Sequence, residues 1–122
     1  MRSMSPVALV ALVVACSGSA VQEPPAPVDV TMAVVGTLLY GDASPVVGAR
    51  IYKYPTLLSP SEPSTFSDAN GHFVLSFVDR CFPGGYGSGV GITPPTTRPI
   101  GAAQCTGEIM CTSGTQRRDC TF

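Results

Sequence analysis

The 122-residue chain is long enough for one domain at most, and it is poor in charge: 12% of residues are charged, about half the usual share, with a net charge of −1. A 44% hydrophobic content excludes a disordered tail, and 13 glycines with 12 prolines exclude coiled coils and helical bundles in favour of short strands joined by turns. Nucleic-acid binding needs a basic patch and is excluded too, while one histidine and no tryptophan leave little material for enzyme chemistry.

The chain starts with one positive charge, Arg2, and then ten uncharged residues, 6–15. That run is too short for a bilayer core, which takes ~20 apolar residues as a helix, and has the length of a signal-peptide core. Val13-Val14-Ala15-Cys16 follows and resembles a bacterial lipobox. The resemblance implies that the Cys16 thiol takes a diacylglycerol thioether, and that cleavage before Cys16 frees its amine for a third acyl chain. Each buried CH₂ contributes about 0.8 kcal/mol, so two or three chains hold a protein on a membrane durably. Residues 1–15 are therefore expected to be a lipoprotein signal peptide and Cys16 the lipidation site. The expected location is the bacterial cell envelope, and Ser17 in place of Asp points to the outer membrane. Residues 16–28 form a proline-rich tether, whose ten residues 18–27 would span ~30 Å at ~3.1 Å each.

From Val28 the apolar period becomes two, as in a strand. Val30, Met32, Val34, Gly36, Leu38 and Tyr40 share one face of a first strand. After the turn cluster Gly41-Asp42-Ala43-Ser44-Pro45 a second strand covers 46–54, in which Ala49, Ile51 and Lys53 alternate with Arg50, Tyr52 and Tyr54. Residues 55–64 carry three prolines and three serines and are expected to be a loop or an edge. Asp68-Ala69-Asn70-Gly71 then predicts a tight hairpin, because Asn-Gly supplies positive φ and Asp68 bonds amides ahead of it. Phe73, Leu75 and Phe77 form the buried face of the strand leading out; His72, Val74, Ser76 and Asp79 are left off it. Residues 83–91 hold Pro83 and five glycines and predict a mobile loop. Short strands are expected at 90–93, 100–106, 109–112 and 117–122.

Three blocks in order carry a family resemblance: Val34-Val35-Gly36-Thr37-Leu38, then Pro45-Val46-Val47-Gly48-Ala49-Arg50-Ile51, then Ser67-Asp68-Ala69-Asn70-Gly71-His72-Phe73-Val74-Leu75. They resemble the carboxypeptidase regulatory-like domain over residues 32–78. The resemblance implies an all-β, small two-sheet sandwich of about seven strands, prealbumin- or immunoglobulin-like, occupying residues 29–122. In that family the domain is an accessory beside a catalytic one. The zinc-ligand His and Glu set of the peptidase is absent here, and the chain is expected not to be an enzyme.

Setting Cys16 aside leaves Cys81, Cys105, Cys111 and Cys120, an even set in an exported chain, which predicts a disulfide-stapled C-terminal part. Their spacings of 24, 6 and 9 do not fit the paired Cys-x₂-Cys pattern of zinc sites, so no metal and no cofactor is implied. Four cysteines allow three connectivities. A hairpin around Ser113-Gly114-Thr115-Gln116 would set Cys111 against Cys120 and leave Cys81 for Cys105. His72 is expected at the surface, and Asp68-Ala69-Asn70-Gly71 lacks the carboxylates of a calcium loop. The remaining candidates form a ligand surface of Arg50, Tyr52 and Tyr54. The expected function is a non-catalytic, membrane-anchored envelope module, structural or protein-binding, or alternatively a carbohydrate-binding sandwich. Its partners would be the membrane, through the lipid, and an envelope protein or a glycan.

Overall fold

The computed structural model describes residues 25–122, so the signal segment 1–15, Cys16 and most of the tether lie outside the described residues. Eight strands follow in chain order: β1 (Val28–Leu39), β2 (Arg50–Lys53), β3 (Ser64–Phe66), β4 (His72–Cys81), β5 (Val90–Thr93), β6 (Gln104–Cys105), β7 (Gly114–Arg117) and β8 (Cys120–Thr121). The larger sheet has the order β4-β1-β8-β6, with β7 also on β1; the smaller is β3-β2-β5. The chain is thus a small all-β sandwich with two disulfides in its C-terminal part.

The β1–β4 pair is the spine. Its antiparallel register runs from Val28 opposite Cys81 to Thr37 opposite His72. Alternate residues of a strand point to opposite faces. Met32, Val34 and Leu38 therefore turn inward beside Phe73, Leu75 and Phe77, all no more than 7% exposed. Ala49 and Ile51 of the smaller sheet meet them, and Tyr40, Val46, Ile109 and Cys120 complete the cluster. Each large apolar side chain so buried contributes about 1.5–3 kcal/mol.

The other edge of β1 takes two parallel partners, β7 along residues 32–35 and β8 at Leu38 and Leu39. Between them the Arg118 N–H donates to the Val35 carbonyl, and the Thr37 N–H donates to Asp119 Oδ1 at 2.9 Å. The Asp119 carboxylate thus replaces a missing backbone acceptor where the ladder breaks. Gly36 is required at that break, since a Cβ there would stand 1.9 Å from the Arg118 carbonyl oxygen.

Four expectations are corrected. The turn at 68–71 does not close a hairpin: β3 pairs with β2 and β4 with β1, so this turn is a corner between the sheets. Its local chemistry is as expected. Asp68 Oδ1 accepts from the Asn70 and His72 amides at 2.9 Å, and Gly71 has φ 78°. Turn chemistry does not select strand partners, however. The ten-residue register with β1 lets β4 bury far more apolar surface than three-residue β3 could. Second, the inward alternation of β4 continues through Asp79, which is wholly buried.

Third, the glycine-rich stretch is tied down. The Gly87 N–H donates to the Ile109 carbonyl and the Cys111 N–H to the Gly85 carbonyl, so 85–87 pairs with 109–111. Fourth, the disulfides are Cys81–Cys111 and Cys105–Cys120. Residues 114–117 are not a hairpin loop but strand β7, which carries the chain away from Cys111 along β1. Cys120 arrives opposite Cys105 in the β6–β8 pair, with Cα atoms 4.1 Å apart. Cys111, held beside the glycine turn, reaches Cys81 with a Cα separation of 5.9 Å.

Candidate functional site

Alternation along residues 49–54 sends Ala49, Ile51 and Lys53 inward and leaves Arg50, Tyr52 and Tyr54 together on the outer face. What the sequence did not reveal is the surface beneath them. Gly91 of β5 pairs with Tyr52, and a Cβ on Gly91 would stand 2.5 Å from Tyr52 Cζ. At Gly89 it would stand 3.0 Å from Tyr54 Cδ2. The two rings thus lie across the side-chain-free backbone leading into and along β5, and cover it.

The rings meet edge to face with centroids 5.3 Å apart. The Arg50 guanidinium sits 4.7 Å from the Tyr52 centroid and pairs with Glu62 at 3.6 Å. The three predicted residues are therefore together but not equivalent. Arg50 and Tyr52 are half-buried, while Tyr54 is 48% exposed. The neighbouring Tyr52 phenol pushes the Tyr54 phenol above its ordinary value. Phe66, opposite Arg50 in the β2–β3 register and 63% exposed, extends the row. No sequence signal joins it to this row, because a hairpin at 68–71 would pair the preceding strand with β4 and not with β2.

Beyond β5 the two sheets part. A hollow of about 540 Å³ lies between Val90, Gly91 and Ile92 on one side and Cys105, Arg118 and Cys120 on the other. A second, of about 320 Å³, runs on towards Tyr86 and Glu108. Both are lined by Tyr54, Val90 and Arg118, so an exposed ring and a guanidinium stand where the hollows meet. Arg118 Nη1 donates to the Gly107 carbonyl, and the side chain has no acidic partner among the described residues. No sequence signal marked Arg118; only the parallel docking of 114–121 along β1 brings it here.

Two buried charges hold the rims of this cleft. Lys53 Nζ donates to the carbonyls of Tyr54, Ser59 and Ser61 at 3.2, 2.5 and 2.8 Å, closing the proline-rich loop around itself. Asp79 accepts from the Ser88 amide and the Ser88 hydroxyl, each at 2.7 Å, and so pins the residue before Gly89. Hydrogen bonds to charged groups are worth about 1.5–3 kcal/mol, enough to fix loops that bury little apolar surface. His72 lies exposed at the start of β4. Among the described residues no three His, Cys, Asp or Glu side chains are grouped to hold a metal ion.

No protein-family model matches the chain, and the search of curated proteins returned no match. Among solved structures it is similar to the dioxygenase domain of a dioxygenase carbohydrate-binding protein fusion from the cellulolytic bacterium Streptomyces sp. SirexAA-E. The TM-score is 0.44 at 15% identity, over 84% of this chain and 80% of that one. A likeness of this size assigns no activity to this chain, and the expectation that it is not an enzyme is withdrawn.

Proposed function

We propose that this chain is a lipid-anchored binding module of the bacterial envelope, held by acylated Cys16 and displaying its sandwich on the proline-rich tether. The observation that carries the reading is the junction of the two hollows, where Tyr54 from the smaller sheet and Arg118 from the larger line a shared cleft. A concave site with apolar walls and a few placed polar groups is what a ligand needs. The resemblance of residues 32–78 to an accessory domain agrees with a binding role.

The test has two arms. Wild-type chain made in a bacterial host should pellet with membranes and carry acyl mass, and Cys16→Ser should abolish both. The soluble Cys16→Ser chain should bind members of a peptide or glycan array, with binding lost in Tyr54→Ala and in Arg118→Ala. A mature wild-type chain without acyl groups would overturn the anchor. Array binding untouched by both cleft variants would overturn the site.

Carbohydrate binding is a second reading, favoured by the exposed rings of Phe66 and Tyr54 on the outer face of the smaller sheet. Glycan signals lost in Phe66→Ala and Tyr54→Ala but kept in Arg118→Ala would place the ligand there.

A further inference from the structure

β5 is the open edge of the smaller sheet, bonded on one side only, to β2. The Tyr54 N–H donates to the Gly89 carbonyl. In an antiparallel pair, bonded and non-bonded residue pairs alternate, so Tyr52–Gly91 and Arg50–Thr93 are the bonded pairs of this ladder. Val90 and Ile92 therefore turn their N–H and C=O groups away from β2, and no backbone or side-chain group of the described residues bonds them. Exposed edges are usually blunted by charge, proline or a bulge. Val90-Gly91-Ile92-Thr93 carries none of these until Pro94 ends it.

Instead this edge is recessed. It forms a wall of the 540 Å³ hollow, with Phe73, Ile100 and Phe122 among the apolar residues lining the same space and Arg118 at its end. We propose that β5 is a docking edge: an extended peptide with a carboxylate side chain or C-terminus adds to it as the next strand of the β3-β2-β5 sheet. Strand addition of this kind takes affinity from main-chain hydrogen bonds and specificity from pockets for alternate side chains. Here Val90 and Ile92 supply the first, apolar lining residues such as Ile100 and Phe122 receive alternate side chains, and the Arg118 guanidinium, which bonds the Gly107 carbonyl through Nη1 but has no acidic partner among the described residues, receives the carboxylate. Glu108 lines only the neighbouring hollow and disfavours a second acidic group there. This inference rests on the binding reading of the same cleft.

The experiment uses the soluble Cys16→Ser chain and a displayed library of linear peptides. A selected peptide is then synthesised with N-methyl groups at alternate residues, in two registers. One register should lose about a hundredfold or more in affinity and the other should stay within a few-fold, because only alternate amides of an added strand face the edge. Hydrogen exchange should slow at Val90 and Ile92 on binding. Replacing the peptide carboxylate by an amide should weaken wild type about tenfold and Arg118→Gln hardly at all. Equal tolerance of both methylation registers, selection of no peptide, binding of glycans alone, or self-association through β5 would each overturn strand addition. The binding reading itself survives any of these in which some ligand is still lost in a cleft variant, Tyr54→Ala or Arg118→Ala, and fails when every ligand is untouched by both.

Discussion

The β1–β4 spine and the C-terminal segment 98–122 contribute to one core by opposite means. β4 alternates exposed and buried residues over ten positions paired with β1, and apolar burial explains every inward one but Asp79. The C-terminal strands are two to four residues long and place few side chains inside. They are held by Cys81–Cys111 and Cys105–Cys120, by the Asp119 carboxylate on the Thr37 amide, and by Gln116, which bonds both backbone groups of Met110. Crosslinks and side-chain bonds thus do for the second region what periodicity does for the first. The cleft lies where the two regimes meet, because short polar strands cannot close the seam beside β5.

The contrast is broken most directly from the spine. Phe73→Ala should cost about 3–5 kcal/mol, the usual range for a buried phenylalanine. Val74→Ala, one residue on and 60% exposed, should stay within about 0.5 kcal/mol. Thermal unfolding with the disulfides intact measures both, and similar losses would mean that β4 does not bury the face assigned to it.

Removing the crosslinks attacks the other side. Loop-closure entropy gives about 3 kcal/mol for the 15-residue separation of Cys105 and Cys120, and slightly more for the 30-residue separation of Cys81 and Cys111. In Cys105→Ser/Cys120→Ser, amide exchange at 104–121 should accelerate well before that of β1 and β4. Uniform acceleration would show one cooperative unit in place of two regimes.

Ser88→Ala sharpens the comparison at the boundary. It removes one of the two bonds to the buried Asp79 carboxylate and should cost about 1.5–3 kcal/mol. Ser76→Ala, on the exposed face of the same strand as Asp79, should cost almost nothing. Equal costs in chemical denaturation would remove Asp79 as the anchor of the glycine turn.

The same division marks what could be learned from sequence. The strand period of β1, the inward face of β4 at Phe73, Leu75 and Phe77, the alternation of β2 and the positive φ at Gly71 follow from local periodicity and turn chemistry; which face of β1 turns inward does not, because both of its faces are largely apolar. Tyr54 was found because it sits on such a pattern. Pairing partners were not legible: Asp68-Ala69-Asn70-Gly71 encodes a reversal, and whether it joins one sheet or two depends on what β1 offers elsewhere. Asp79 and Lys53 lie at inward positions that their chemistry argued against. Each is tolerated only because distant or loop groups converge on it, Ser88 in one case and three carbonyls in the other. Disulfide connectivity and the placing of Arg118 depend on β7 and β8 running parallel to β1, a long-range pairing that no spacing encodes.

The smallest expected effect lies where the C-terminal segment first touches the rest. Asp42 accepts from the Ser44 hydroxyl at 2.6 Å and the Ser44 amide at 3.1 Å, and it pairs with Arg98 at 3.3 Å. Those bonds, the Ser44 hydroxyl above all, hold its carboxyl at about 2, below the ordinary 3.8. A carboxyl lowered on folding stabilises the folded chain above its unfolded value and loses that contribution as pH falls through the folded one. The window is therefore roughly pH 4 down to 2. Asp68, lowered by the His72 and Asn70 amides, acts with the same sign at the corner between the sheets. Arg98 also packs its guanidinium 3.7 Å from the Tyr40 ring centroid, while its carbonyl accepts from the Tyr40 hydroxyl. Protonating Asp42 should thus loosen the start of the C-terminal segment and leave Arg98 on Tyr40. Stability measured across this window should fall less steeply in Asp42→Asn than in wild type, with exchange near Arg98 losing its acid response. An unchanged slope in Asp42→Asn would assign the acid sensitivity to Asp68 and the corner, and would leave the C-terminal segment anchored by its disulfides and the Tyr40 contact.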